Sequence, residues 1–275
     1  MERITSTQNP KIKHAARLLS SSRERRKEGL FVLEGLRLCM DVVRSGLTAE
    51  ELYVTDDLYE KERDQIDRLA SVTKQVFLID EKVSRKLTDT RTPQGICCVL
   101  RTLDKQGDRN KIEKMDAAGR YILLENVQDP ANLGAVSRTA EALGLTGMIV
   151  SGGCDIYSPK ALRASMGALL RLPVLETGDI QKTILQANQN GMKTYASVPS
   201  ADAEKITGVE FHDGTICVIG NEANGVTDET LAHCQEKITI PMAGRAESLN
   251  AGAAASIIMW EMVRPYDNST KDNTN

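Results

Sequence analysis

The sequence predicts an α/β protein made of two successive units in which strands and helices alternate. Three observations predict it. Apolar runs of strand length are separated by segments whose apolar residues return every three or four positions. The second half carries five such strands, regularly separated by helices, the pattern of a mostly parallel sheet covered on both faces. A polar, charged stretch, Thr102 to Ala118, lies between the halves and reads as a linker.

The elements follow in order. Asn9-Pro10 marks a helix start, with Asn9 as N-cap and Pro10 in the first turn. Ile12, Ala15, Ala16 and Leu19 then recur at helical spacing, leaving Lys13 and Arg17 off the apolar stripe. Phe31–Leu33 reads as a strand, and Gly35 to Arg44 as a helix ended by Gly46. Strands at 51–55, 75–79 and 94–100 and helices at 60–71 and 81–88 complete a small domain over 1–101. In a second domain, 119–266, strands fall at 121–125, 146–151, 193–197, 215–220 and 237–241. Helices fall at 132–143, 160–170, 179–190, 227–233 and 249–263. The polar tail, 267–275, reads as disordered.

Composition narrows the function classes. The chain of 275 residues has a net charge of −3, but residues 1–27 hold eight Lys/Arg (Arg3, Lys11, Lys13, Arg17, Arg23, Arg25, Arg26, Lys27) against Glu2 and Glu24. Such a split suits a basic arm for a polyanion, and is equally explained by a solvated helix face rich in Arg. Aromatic content of 4% argues against RNA binding by base stacking and leaves contact through phosphates and sugars open. Most of the six cysteines sit in apolar runs without a Cys-x-x-Cys pair, as small core residues in a reducing compartment. With no apolar signal region after Met1 and no run of about 18 apolar residues, a cytoplasmic protein without membrane contact is expected.

No Gly-x-Gly and no Walker A loop occurs, and His14, His212 and His233 lack metal-ligand spacing, so a dinucleotide enzyme, a kinase and a zinc hydrolase are disfavoured and no metal is expected. Three segments carry the chemistry instead. In Leu123–Arg138 a strand runs into Asp129-Pro130, then Asn132 stands at a helix N-terminus with Arg138 six residues on. The pair places an amide and a guanidinium near the C-terminal edge of a sheet, where open α/β proteins bind ligands; an N-cap Asn and a surface Arg would look the same. In Ile216–Gly225 an apolar strand empties into Gly220-Asn221-Glu222, where glycine permits close approach of a ligand to the backbone. In Ile238–Asn250 a strand leads through Ile240 and Met242 to Ser248-Leu249-Asn250 at the mouth of a helix of small residues, Ala251–Ser256.

Taken together and in this order, the three segments closely resemble the three motifs of the SpoU (TrmH-like) RNA ribose 2′-O-methyltransferases of the SPOUT superfamily. The resemblance covers 121–263, and Ser158–Gly167 looks like that family's linking region. Residues 1–100 resemble the L30e-like substrate-binding domain that many members carry.

The resemblance implies a SPOUT α/β-knot, a deep trefoil knot near the C-terminus, which no periodicity could reveal. It implies S-adenosylmethionine as cofactor, held mainly by backbone at Gly220, Asn221, Ile240, Met242, Leu249 and Asn250. It implies a homodimer through the catalytic domain and structured RNA, ribosomal RNA above transfer RNA, as partner. Arg138 matches the residue that the family's mechanism sets beside the ribose hydroxyl. Guanidinium keeps its proton to pH ~12, so an orienting cation is as good a role as a base. Asn132, Glu222, Ser248 and Asn250 match the other polar catalytic positions, and Lys11, Lys13, Arg17, Arg23, Arg25, Arg26 and Lys27 form the expected RNA-binding arm. Ala251-Gly252 departs from the Val-Ser common in the family, which bears on helix packing alone. A non-catalytic RNA-binding protein and a different nucleotide-dependent enzyme are the competing readings.

Overall fold

The computed structural model describes residues 1–103 and 115–264, so 104–114 of the expected linker and the expected tail lie outside the described residues. Two compact units result. The first comprises β1 (Glu2–Ile4), α1 (Pro10–Ser20), α2 (Ser22–Glu28), β2 (Leu30–Glu34), α3 (Leu36–Arg44), β3 (Ala49–Thr55), α4 (Asp56–Lys61), α5 (Arg63–Ser71), β4 (Thr73–Ile79), α6 (Glu81–Lys86) and β5 (Ile96–Arg101). Its five strands form a mixed sheet in the order β1-β4-β3-β5-β2.

The second begins with β6 (Arg120–Glu125), α7 (Pro130–Ala142) and β7 (Gly147–Ser151). The chain then forms α8 (Pro159–Ser165) and α9 (Ala168–Arg171), and the second unit resumes with β8 (Val174–Thr177), α10 (Ile180–Gln189), β9 (Lys193–Ser197), β10 (Glu204–Lys205), β11 (Thr215–Ile219), α11 (Asp228–His233), β12 (Glu236–Thr239) and α12 (Ala251–Val263). All seven strands of this sheet run parallel, in the order β10-β12-β9-β11-β6-β7-β8. Parallel strands put all their C-terminal ends on one edge. The order reverses between β6 and β11, and it is there that a crevice for ligands opens in sheets of this kind.

Residues 155–171, assigned by sequence to the second domain, pack with the first unit. Ion pairs, two of them on buried groups, explain the attachment. Arg25 Nε donates to Asp155 Oδ2 at 2.7 Å, Arg163 reaches Asp89 at 2.8 Å, and Arg171 reaches buried Asp41 at 3.4 Å. Tyr157 stacks on Phe31 with ring centroids 4.6 Å apart.

The sequence predicts one helix over 160–170, and the structure breaks it. Met166 (φ 51°) and Gly167 (φ 87°) both take the left-handed conformation, and a Cβ on Gly167 would lie 2.0 Å from Asp41 Oδ2. The Asp41 contact leaves room only for glycine, and glycine ends the helix. β8 is absent from the expected strands because it has four residues and follows Pro173. As the outermost strand it tolerates the missing N–H, and the Pro173 carbonyl still accepts from Met148 N at 2.9 Å.

Candidate active site

Three loops at the C-terminal edge of the second sheet meet through side chains. β6 ends in buried Glu125, whose carboxylate accepts from Thr227 N at 3.0 Å and Thr230 Oγ1 at 2.6 Å, tying β6 to the start of α11. The next residues lead to α7, where Asp129 is the N-cap and Asn132 lies in the first turn. β11 ends at Gly220, and the turn after it is closed by reciprocal main-chain bonds between Asn221 and Gly225 at 3.0 and 2.9 Å. Asn221 Oδ1 accepts from Ala223 N and Asn224 N, while its amide donates to Asn126 O at 2.9 Å. The turn is therefore rigid and fastened to the loop after β6.

Glu222 then bridges two segments. One carboxylate oxygen accepts from Gln128 N at 3.0 Å; the other accepts from Asp129 N at 3.1 Å and from Asn132 Nδ2 at 2.9 Å. The Asn132 carbonyl oxygen accepts from Asn250 Nδ2 at 3.0 Å, and Asn250 Oδ1 caps α12 by accepting from Gly252 N and Ala253 N. Every amide in this relay donates with its nitrogen and accepts with its oxygen, so its orientation is fixed throughout. Burial alone would raise the Glu222 carboxyl, but the N–H groups of Gln128, Asn132 and Asp129 outweigh it and hold the carboxyl below its ordinary range. Glu222 is thus an anchored anion and a poor proton acceptor near neutrality.

That depression carries a pH signature. A carboxyl lowered on folding adds stability above its unfolded pKa, and the contribution fades as pH falls through the folded value. Glu222→Gln sets an NH2 group against an N–H and should lower stability at pH 7. The gap between the variant and the wild type should narrow as acid protonates Glu222, read by urea unfolding at pH 7 and pH 4. An unchanged gap would show that the charge is not what holds the loops.

Beside the relay lies a cavity of about 300 Å³, with apolar walls from Ile219, Ile240, Met242 and Leu249. Among the expected site residues, Gly220, Asn221, Glu222 and Ser248 also line it. Asn132 and Asn250 stand behind the cavity in the relay and do not line it. Arg138 does not line it either. Six residues along a helix is about 600°, so Arg138 points some 120° away from Asn132, and it is exposed. The strand end Ser197-Val198-Pro199 forms another wall that the sequence reading missed. Its signal was topological: β9 lies between β12 and β11, a neighbourhood that strand order in the chain does not reveal.

Gly220 is indispensable for a reason different from the expected one. A Cβ there would lie 2.0 Å from Gly225 C and 2.1 Å from Val226 N. The close approach that demands glycine is made by the protein's own turn, while Gly220 still lines the cavity.

In the first unit the expected basic arm divides. Arg25 is buried, with its guanidinium on Asp155 and on the Leu18 and Leu19 carbonyls, so it is a structural clamp and its assignment to RNA contact is corrected. Lys11 Nζ is held by Glu51 at 3.1 Å and Gln75 at 2.7 Å above the Phe77 ring. Lys13, Arg17, Arg23, Arg26 and Lys27 stay exposed. Among the described residues no cluster of three or more His, Cys, Asp and Glu could hold a metal, and no helix is long and apolar enough to cross a membrane.

Comparison with known proteins agrees with this geometry. Residues 119–260 match the SpoU rRNA Methylase family, and 9–98 match the MRM3-like substrate binding domain. The chain is 31% identical to an uncharacterized tRNA/rRNA methyltransferase of Synechocystis over 95% of its own length and 93% of the relative's. It is 28% identical to the Bacillus subtilis 23S rRNA (guanosine(2553)-2′-O)-methyltransferase RlmP, covering 95% of this chain and 99% of that one. Among solved structures, an AdoMet-bound rRNA methyltransferase from Sinorhizobium meliloti superposes with a TM-score of 0.82 at 25% identity, covering 95% of this chain and 97% of that one. An RNA 2′-O ribose methyltransferase superposes with a TM-score of 0.76 at 27% identity, covering 94% and 97%. With its motifs joined in one relay and the family's model matched over more than half its length, the chain belongs to the SpoU rRNA methylase family.

Proposed function

We propose that this chain transfers a methyl group from S-adenosylmethionine to a ribose 2′-hydroxyl of 23S ribosomal RNA. The observation that carries the reading is the Glu222–Asn132–Asn250 relay, which draws the three motif segments around one cavity. RlmP, 28% identical along nearly the whole chain, is named for this reaction on 23S rRNA.

The cavity suits the cofactor. Ile219, Ile240, Met242 and Leu249 offer apolar walls to a flat heterocycle, the main chain at Gly220 and Asn221 offers polar groups at a strand end, and Glu222 sets a fixed negative charge near a cationic donor. The bound cofactor supplies a methyl group already activated by its sulfonium. The protein's task is then to orient the ribose and stabilise the hydroxyl as it loses its proton. We assign that work to Arg138 as an orienting cation, and positioning to Asn132, Glu222, Ser248 and Asn250. Incubation of the protein with labelled S-adenosylmethionine and unmodified 23S rRNA, followed by mapping of 2′-O-methyl sites, tests the reading. Failure to methylate any ribose in ribosomal or transfer RNA would falsify it.

Arg138 stands on an exposed helix face, so the reading includes a homodimer through the second unit. α12 buries Gly252, Ala255, Ile258, Met259 and Met262 but exposes Ala253, Ile257 and Trp260, an apolar stripe at helical spacing. Thr139 Oγ1 and Ser256 Oγ lie 3.3 Å apart between α7 and α12, and the residues beside them in sequence, Arg138 and Ile257, are both exposed. A partner seated on that stripe would meet Arg138. Trp260→Glu is expected to give a monomer in sedimentation velocity and to abolish methyl transfer; a fully active dimer would remove this part of the reading.

A trefoil knot fits the path of the chain after β12, which crosses the ends of β9 and β11 before α12 packs on α7, β11 and β6. The six free cysteines fit the cytoplasm.

A further inference from the structure

A cavity of about 390 Å³ opens on the first unit, lined by Thr7, Gln8, Lys13, Lys82, Arg85 and Lys86. Four of these residues are cationic and none is acidic. The underlying packing explains their convergence. Ile12 and Ala15 of α1 share a core with Val83 and Leu87 at α6, which turns Lys13 outward on one side and Lys82, Arg85 and Lys86 outward on the other. Lys82 and Lys86 are four residues apart, so they stand on the same helix face. Thr7 and Gln8, in the same lining, immediately precede the N-terminus of α1, an 11-residue helix capped by Asn9.

Nearby basic residues do not share this environment. Lys11 is neutralised by Glu51, Arg3 by Asp56 and Arg25 by Asp155. Lys13, Lys82 and Lys86 have no ion-pair partner among the described residues, and Arg85 has only a long, exposed contact with Glu81 at 3.3 Å. Cations gathered without a counter-charge repel one another until an anion enters. A polyanion with regularly spaced charges relieves all of them at once and releases its own counterions in doing so. No aromatic ring lines the cavity, so bases have nothing to stack on and the contact must be to phosphates.

We propose that the Lys13–Lys82–Lys86 cleft seats the phosphate backbone of the RNA substrate on the first unit. Of the basic segment that composition singles out, Lys13 takes this role and Arg23, Arg26 and Lys27 do not. Arg85 is shared with a neighbouring cavity of about 690 Å³ lined by Lys61, Arg91 and Gln94 but also by Asp57 and Glu81, a mixed surface suited to sugars and base edges more than to phosphates. The inference rests on the RNA-methyltransferase reading and deepens it by placing the substrate's backbone.

The test compares the full-length wild type, Lys13→Gln/Lys82→Gln/Lys86→Gln and Arg23→Gln/Arg26→Gln/Lys27→Gln on in vitro transcribed 23S rRNA across a salt series. Losing three phosphate contacts should flatten the slope of log K against log salt by about 2 to 3 and weaken binding at least ~10-fold at low salt. The KM for RNA should rise, with cofactor affinity and unfolding temperature unchanged, since the substituted residues are all exposed. The arm variant should lose less than half as much slope.

A cleft variant that keeps the wild-type slope while the wild type methylates rRNA overturns the cleft and leaves the enzyme reading standing. A wild type that methylates no RNA, beside a cleft variant that loses RNA affinity, has the opposite consequence. Wild-type binding to phosphatidylglycerol vesicles that disappears in the cleft variant, with RNA affinity intact, would assign the cleft to lipid and overturn the RNA assignment.

Discussion

Arg138→Ala is expected to lower the rate of methyl transfer to 23S rRNA by about 100- to 1,000-fold, the effect of deleting one preorganised donor at a site of developing charge. Its affinity for S-adenosylmethionine and its unfolding temperature should not change. The contrast follows from location. Arg138 is exposed on α7, lines no part of the cavity proposed for the cofactor, and makes no hydrogen bond or ion pair with any described residue. Alanine therefore removes no buried contact and is the better helix former. A structural arginine would show itself in the melting temperature, and a cofactor ligand in calorimetry with S-adenosylmethionine. A cation aimed at the ribose shows itself in the rate alone. Arg138→Lys should recover only part of the rate, because a point charge on a flexible stem cannot reproduce a planar fork of donors. Full activity in the alanine variant would remove Arg138 from the mechanism.

What the sequence made legible was set by local signals. Asn9-Pro10 carries a capping side chain and a proline that pre-sets the first turn, and a helix begins there; Asp129-Pro130 has the same signal, and the helix expected from Asn132 starts two residues earlier, at Pro130. The apolar strand 215–219 reads as buried on both faces, and every one of its residues is buried. Asn132, Glu222 and Asn250 could be picked out because they stand in the three segments that resemble the SpoU motifs. What was not legible depends on contacts distant in sequence. Arg25 reads as one more cation in a basic run, and only its pairing with Asp155, 130 residues away, makes it a clamp. The break at Gly167 needs Asp41 against it, and the wall at Ser197–Pro199 needs β9 beside β11. The cleft of Lys13, Lys82 and Lys86 joins the basic N-terminal segment to a helix nearly 70 residues on that charge along the chain does not single out. Charge counted along the chain found Lys13 but not Lys82 and Lys86, because charge in space depends on which cations the fold gathers and which it has already paired.

Gly220→Ala should weaken S-adenosylmethionine binding by about 10- to 100-fold and lower the unfolding temperature by several degrees. The added methyl would start 2.0 Å from Gly225 C and 2.1 Å from Val226 N, both backbone atoms, so no side chain can rotate to make room. The turn must open, and it is poorly able to do so. Asn221 and Gly225 exchange two main-chain hydrogen bonds, the Asn221 side chain caps Ala223 and Asn224, and Glu222 is fixed to Gln128, Asp129 and Asn132. Overpacking of this kind costs about 1–3 kcal/mol, and a loss of that size taken from binding gives the stated fold-change. Because the turn lines the cavity proposed for the cofactor and also anchors the relay to Asn250, displacement should be felt at all three motifs. Calorimetry and thermal unfolding on the same preparation separate the effects. A variant that binds the cofactor normally would mean that the 220–225 turn can move aside at little cost. The relay would then be pliable rather than rigid, whatever the enzyme's substrate.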